Sequence, residues 1–188
     1  MLRRSPKREF VLGVRLSLTA LAFSAAVPTV AASSMWDLLP GDATFPGWRV
    51  VPGTERKAST TAGLYAMYDG AVPDLQQAGV VAAGQRIYSR DNRRVTVDLF
   101  RFATVGQARA YYVQRKSEIS QTTSFAGITG LREAGCYASI SRTSVAYLWC
   151  RGYYASLSVN GSTPDDRATL KTFAQYISKR VMPPPKPR

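Results

Sequence analysis

The sequence predicts a single α+β domain in which a mostly antiparallel β-sheet packs with about three α-helices. Apolar and polar side chains alternate over several short segments joined by turn residues, which is typical of half-buried strands. Other segments combine a helix-capping residue with apolar side chains at helical spacing. A chain of 188 residues, 45% of them hydrophobic, is long enough to form one hydrophobic core and too short for two domains of typical size.

The composition excludes several kinds of chemistry. Histidine is absent, which removes histidine-ligated zinc, Ser-His-Asp triads and Cys-His dyads. Two cysteines cannot form a four-cysteine zinc site. We therefore expect no metal site and no cofactor, and we favour a non-catalytic function over an enzyme. The formal net charge of +13 favours an anionic partner and leaves nucleic acid open as one.

The first 32 residues have the pattern of a secretory signal peptide. Four basic residues within the first eight positions precede an interrupted apolar run over 11–26, and Val30-Ala31-Ala32 supplies small residues for cleavage. We therefore expect export to the periplasm or the cell exterior, with no membrane span after cleavage. An uncleaved amphipathic anchor is the alternative interpretation. The domain would then cover residues 33–182.

The next segments are assigned from turn and cap residues. Successive Pro-Gly turns predict an irregular stretch over 33–58. A helix is expected to begin at residue 59, 60 or 61 and to end at Asp69-Gly70, with Pro73 breaking or restarting it. Strands over 79–88 and 94–102 follow, joined by a turn at Asp91-Asn92.

Two further helices are indicated by their caps. Thr104 and Gln107 form a capping box that opens a helix carrying Tyr111 and Tyr112. Thr163 caps the last helix, with Pro164 at its first position. A proline run ends that helix and leaves a basic proline-rich tail over 183–188. Between the two helices, residues 120–134 are rich in Ser, Thr and Gly and are predicted to form a loop.

The two cysteines predict a disulfide within a three-stranded meander. If Cys136–Arg142 and Ser144–Cys150 form a hairpin with its turn centred on Thr143, Cys136 lies opposite Cys150 and every partner on that face is apolar. Opposed residues in an antiparallel pair are about 4.5–5.5 Å apart at Cα, which a disulfide can span. The third strand continues the apolar face through residues 153–159.

Four segments together resemble an uncharacterised family of exported bacterial proteins, the domain of unknown function with family number 6599. They are Pro46-Gly47-Trp48, the Asp69-Gly70-Ala71 segment ending in Gly79, the strand–helix unit over 94–118, and the hairpin over 147–154. The resemblance implies an exported domain with no assigned chemistry. Members typically read Asn-Gly-Ala-Ala-Glu in the second segment, and this chain has Asp69-Gly70-Ala71-Val72-Pro73. Any activity of that glutamate has no counterpart here.

Arginines and aromatic residues are the candidate binding residues. Arg86, Arg90, Arg93 and Arg94 fall on the predicted hairpin over 79–102, and Arg101, Arg142 and Arg151 would extend their basic surface. The other interpretation is a solvated hairpin whose charges prevent edge-to-edge aggregation. Opposite the apolar face of the meander the predicted register places four aromatic residues, which are Tyr137, Tyr147, Trp149 and Tyr154. They form either an exposed stacking platform or a core layer covered by a helix.

The leading functional prediction is an exported, non-catalytic domain that binds an anionic envelope polymer or an envelope protein. A hydrolase that uses carboxylates near Asp69, with Asp74 or Asp98, is one alternative. Asp98 lies within an apolar strand, where a partner such as Arg101 is expected. A structural subunit of an envelope complex is the other alternative, and it predicts a hydrophobic interface.

Overall fold

The structure is a computed structural model that describes residues 35–120, 126–131 and 133–181. The predicted signal peptide, the proline-rich tail and part of the predicted loop lie outside these residues. Within them, one antiparallel sheet of eight strands is packed with helices. The predicted α+β class is therefore confirmed.

The strands follow the order β1-β3-β4-β8-β7-β6-β5, with β2 pairing β3 on the same edge as β1. The helices of the described residues are α1 (Thr61–Tyr68), α2 (Val72–Gln77), α3 (Val105–Ser120) and α4 (Pro164–Val181). The strands are β1 (Arg49–Val50), β2 (Arg56–Ala58), β3 (Val80–Arg90), β4 (Arg93–Phe102), β5 (Ala126–Gly127), β6 (Ala134–Ile140), β7 (Thr143–Cys150) and β8 (Tyr153–Asn160).

The helices begin where the capping residues predict. The Thr60 hydroxyl accepts a hydrogen bond from the Gly63 amide at 3.2 Å and caps α1. At the start of α3, the Gln107 amide donates to Thr104 Oγ1 at 3.2 Å and the Thr104 amide donates to Gln107 Oε1 at 3.0 Å. Such caps satisfy amides that have no partner inside the first turn, so local sequence alone suffices to locate these helix starts.

Helices cover both faces of the sheet. On the α4 face, Val97, Leu99 and Leu157 pack against Phe173 and Ile177 of α4. On the α3 face, a second core cluster combines sheet and helix side chains, among them Phe100, Phe102, Tyr147, Tyr154, Leu64 of α1 and Ala108 of α3. Because successive strand residues point to opposite faces, each central strand contributes to both clusters.

The predicted register of the β6–β7 hairpin is wrong. Its turn consists of Ser141 and Arg142, not a loop centred on Thr143, and Cys136 lies opposite Tyr147. This shift places Cys136 in the α3-face cluster and Cys150 in the α4-face cluster. Both thiols are buried, and no disulfide joins these two described residues. The prediction failed because both faces of the meander are covered, so apolar pairing does not distinguish one register from another.

Three hairpins of the sheet use two-residue turns with the same unusual backbone. The first turn residue has a positive φ in each: 52° at Asp91, 55° at Ser141 and 51° at Arg151. This conformation is costly for residues that carry a Cβ. The strand pairing on either side of the turn therefore holds these residues in it.

Candidate binding surfaces

Two of the predicted binding arginines are engaged on the α4 side of the sheet. Arg86 is buried, with its guanidinium 2.5 Å from a carboxylate oxygen of Glu55 and 5.0 Å from the ring centre of Trp36. It also donates to the Pro40 carbonyl at 2.8 Å. Arg90 lies over the Trp48 ring at 5.1 Å. Arg86 therefore tethers the N-terminal segment to β3 and offers no surface to a partner.

The other two arginines lie beside the β3–β4 turn on different faces. Arg93 forms an ion pair with Asp166 of α4 at 3.6 Å. Arg94 is exposed, and its backbone amide donates to Asn160 Oδ1 at 2.7 Å. Since strand residues alternate between faces, Arg93 and Arg94 point in opposite directions. The four predicted arginines therefore do not form one exposed surface.

A different set of cations gathers where β4 ends and β7 turns into β8. Arg109 of α3 places its guanidinium 5.7 Å from the ring centre of Trp149. The Trp149 indole N–H donates to the Arg151 carbonyl at 2.7 Å, and Arg101 lies opposite Tyr153 on the neighbouring strand. All three arginines are exposed.

The last turn of α4 brings two more cations to this end. The Cys150 thiol lies 3.8 Å from the Ser178 carbonyl, which places Lys179 and Arg180 beside the end of β7. Both are exposed. The Glu133 carboxylate accepts a hydrogen bond from the Arg151 amide at 2.5 Å. We call this region the basic end. Its five cations flank the end of the sheet on both faces: Arg101, Lys179 and Arg180 on the α4 side, Arg109 on the α3 side, and Arg151 in the turn between β7 and β8.

Sequence reasoning identified Arg101 and Arg151 and missed the other members of the basic end. Arg109, Lys179 and Arg180 lie on two helices that pack on opposite faces of the sheet. Their only local signal was the cationic last turn of α4, which also has a helix-dipole explanation. The sheet order had to be known before these residues could be grouped.

The predicted aromatic platform is covered by α3. Tyr147 and Tyr154 are buried, and Trp149 is half-buried beneath Arg109. Tyr137 packs against the α4-face core instead, because the register differs from the predicted one. Tyr147 and Tyr154 therefore belong to a core layer covered by a helix and not to an exposed stacking platform.

Stacked and tilted rings connect the α3 face from α1 to β7. Tyr154 lies 5.0 Å from Tyr111 of α3, 6.0 Å from Phe100 and 6.2 Å from Tyr147, measured between ring centres. Tyr68 of α1 continues the series at 5.2 Å from Phe100. Burial raises the pKa of every tyrosine in the series, so their hydroxyls remain protonated and act as hydrogen-bonding groups.

Asp98 is the titratable carboxyl of this face. Its Oδ1 accepts hydrogen bonds from the Tyr68 hydroxyl at 2.9 Å and from Gln85 Nε2 at 2.8 Å. Burial raises the pKa of Asp98, and these two hydrogen bonds oppose the rise. The expected partner Arg101 lies on the opposite face, since the two residues are three positions apart on one strand.

A cleft of about 400 Å³ separates α2 from α3. Asp74 and Gln77 line one wall, and Tyr111, Arg115 and Glu118 line the other. Asp69 is exposed at the end of α1, where it caps the helix with a φ of 41°. Two of the predicted catalytic carboxylates thus have defined surroundings: Asp74 lines the cleft, and Asp98 is held by Tyr68 and Gln85.

None of the described helices combines the length and apolar character that crossing a membrane requires. No protein-family model matches the sequence, and the search of curated proteins gave no match. A solved structure with a similar fold is the extracellular domain of PknH from Mycobacterium tuberculosis. The TM-score is 0.51 and the identity 14%, over 77% of this chain and 92% of that one. The chain therefore has a fold similar to that of an extracellular domain.

Proposed function

We propose that this chain is an exported, non-catalytic domain that binds an anionic polymer of the cell envelope through the basic end. The observation that carries the proposal is the pair of exposed arginines at Trp149: Arg109 lies over its ring, and the Arg151 carbonyl accepts from its indole N–H. The exposed residues Arg101, Lys179 and Arg180 add positive charge at the same end of the sheet. Exposed like charges repel one another, and an extended anion relieves that repulsion at every site it contacts. The half-buried Trp149 ring positions the Arg109 guanidinium at this end through a cation–π contact.

Export is supported by two independent features. The first 32 residues have the charge and apolar pattern of a signal peptide, and the fold is similar to that of the PknH extracellular domain. Membership of the uncharacterised exported family stays a prediction, as does the choice between periplasm and exterior.

A hydrolase is the second candidate, favoured by one observation. A buried carboxyl with a raised pKa, such as Asp98, suits a proton donor at neutral pH. If the protein is a hydrolase, release of reducing ends from envelope polysaccharide should disappear in Asp98→Asn and in Asp69→Ala while both variants stay folded. An activity that survives both changes would remove this candidate.

Heparin retention tests the main proposal. The protein is bound to immobilised heparin and eluted with rising salt, with neutral dextran as the control matrix. We expect salt-sensitive retention on heparin only, since exposed charges are screened over about 10 Å at 0.1 M salt. The triple change Arg101→Gln, Arg109→Gln and Arg151→Gln should weaken binding about tenfold, at about 0.5 kcal/mol for each exposed contact.

A matched variant separates the basic end from net charge. Changing Arg94, Arg142 and Arg167 to Gln removes the same charge from exposed residues at the opposite end of the sheet. This control should lose much less affinity than the basic-end triple variant. Equal losses in the two variants, or a larger loss in the control, would contradict the assignment to the basic end.

A further inference from the structure

The cleft between α2 and α3 has one wall in which the polar side chains are already fixed. Glu118 accepts a hydrogen bond on each carboxylate oxygen, from Gln114 Nε2 at 2.9 Å and from Arg115 Nη1 at 2.5 Å. Burial raises the pKa of Tyr154, and the positive charge of Arg115 opposes that rise, which places the guanidinium near this buried hydroxyl. Arg115 and Glu118 thus form an ion pair on the cleft wall, with 42% of each side chain exposed and available to a ligand.

Aromatic packing supports this wall from below. The ring of Tyr111 lies 5.4 Å from Phe102 and 5.0 Å from Tyr154. Tyr111 is half-buried and still lines the cleft. On the other wall, Asp74 and Gln77 of α2 add a carboxylate and an amide. The cleft thus presents hydrogen-bond donors and acceptors on both sides above an aromatic floor.

The charges and volume of the cleft restrict the class of ligand. Two carboxylates, Asp74 and Glu118, face one guanidinium, so an anion would meet net repulsion. An apolar ligand would cover these polar groups without offering them hydrogen bonds, which is costly. Both oxygens of Glu118 already accept hydrogen bonds, so an ammonium ligand would pair with the exposed Asp74, and exposed ion pairs contribute little. A volume of about 400 Å³ lies within the range of small-molecule sites.

We infer that this cleft is a second binding site, for a neutral polyhydroxylated ligand of the size of a mono- or disaccharide. Hydroxyl groups donate and accept hydrogen bonds, so they match the mixed donors and acceptors of Arg115, Glu118, Gln77 and Asp74. The Tyr111 ring offers an apolar surface for the C–H face of a sugar ring. Binding here does not depend on the basic end, because it involves none of the five cations that define it.

Saturation-transfer NMR tests the inference with trehalose, maltose, cellobiose, diacetylchitobiose and myo-inositol as probes. Glucuronate and glucosamine serve as the anionic and cationic comparators. We expect transfer to at least one neutral probe that exceeds transfer to both comparators and is little changed by salt. No transfer to any neutral probe, or the strongest transfer to glucuronate or to glucosamine, would overturn the inference.

Variants place the binding in the cleft. Arg115→Met should lower the affinity for the neutral probe at least tenfold, whereas Lys116→Met, the same change at the next position of α3, should leave it unchanged. If Arg115→Met fails to fold, Asp74→Asn on the exposed wall takes its place, with a severalfold loss expected. Unchanged affinity in the folded cleft variants would overturn the site. Salt-sensitive heparin retention should persist in all of them, so failure here is distinguishable from failure of the proposed function.

Discussion

The α4 face and the α3 face of the sheet are both closed by helices, yet they bury different chemistry. The α4 face packs aliphatic strand residues and the rings of Phe45, Trp48 and Tyr88 around Phe173. The α3 face holds the half-buried carboxyl of Asp98 and a series of protonated tyrosines, and a cleft lies between α2 and α3. The α4 face also buries polar groups, but there Arg86 and Asp166 are held in ion pairs, and a second cleft of about 400 Å³ lies beside Phe173. The faces therefore differ in the kind of polar group they hold, which is ion pairs on the α4 face and tyrosines with a carboxyl on the α3 face.

The two faces therefore contribute to the protein in different ways. On the α4 face, burial contributes to stability through α4, whose core side chains are almost fully buried against the centre of the sheet. On the α3 face, side-chain hydrogen bonds join Asp98 to Tyr68 and Gln85, and Glu118 to Arg115. If the two faces differ in solution as they do in the structure, substitutions on each face should change the free energy of unfolding in different ways.

The largest effect should follow truncation on the α4 face. Phe173 is 1% exposed and contacts three aromatic rings at centroid distances of 4.6–5.6 Å. Phe173→Ala should lower the free energy of unfolding by about 3–5 kcal/mol, and Phe173→Leu by less, since the remaining cavity is smaller. Urea denaturation measures both. A loss below about 1 kcal/mol for the alanine variant would show that this face does not carry the stability assigned to it.

The α3 face should give stability a pH dependence through Asp98. Burial raises the pKa of Asp98, so the folded protein holds this proton more tightly than the unfolded chain does. The free energy of unfolding should therefore fall as the pH rises from the ordinary carboxyl pKa through the raised value. Each unit of elevation corresponds to about 1.4 kcal/mol.

Asp98→Asn isolates this contribution, because its amide oxygen can still accept from Tyr68 and Gln85. The variant should match the wild type at low pH and become the more stable of the two as the pH rises. Urea midpoints between pH 4 and pH 8 measure the difference. A difference that is flat with pH, or that reverses sign, would contradict the buried carboxyl.

A smaller effect tests the hairpin turn on which both faces depend. Ser141 has a φ of 55°, so Ser141→Gly should relieve backbone strain and stabilise the protein by about 0.5 kcal/mol, net of the entropy that glycine adds to the unfolded chain. Thr143 pairs with Ile140 inside the ladder, and Thr143→Gly should destabilise it by about 1 kcal/mol. Thermal denaturation distinguishes the two. If Thr143→Gly were the stabilising change and Ser141→Gly the destabilising one, a turn centred on Thr143 would be supported.

The sequence was sufficient to locate helix starts and turns whose determining residues lie within a few positions of one another. Thr60, Thr104 and Thr163 marked three helix starts because capping involves only residues within one turn. The β3–β4 turn at Asp91-Asn92 was equally local. These segments needed no knowledge of their neighbours.

Prediction failed where the answer depended on tertiary packing. The β6–β7 register requires knowing that α3 covers Tyr147, because two covered faces make both alternating patterns apolar. Arg86 is buried because it pairs with Glu55 and donates to the Pro40 carbonyl. Both partners lie in the N-terminal segment, far from Arg86 in the sequence. The basic end joins residues separated by most of the domain, so no sequence window contains them.

The most direct test of the two-faced sheet is the state of its two thiols. Cys136 belongs to the α3 face and Cys150 to the α4 face, so they cannot reach one another without changing the register of β6. The protein is denatured in the presence of an alkylating reagent, without reductant, and its intact mass is measured. The register of β6 and β7 predicts two alkyl groups on every molecule. A mass without alkylation that shifts only after reduction would mean that Cys136 and Cys150 are bonded and lie on one face, which would contradict the register and the assignment of both faces.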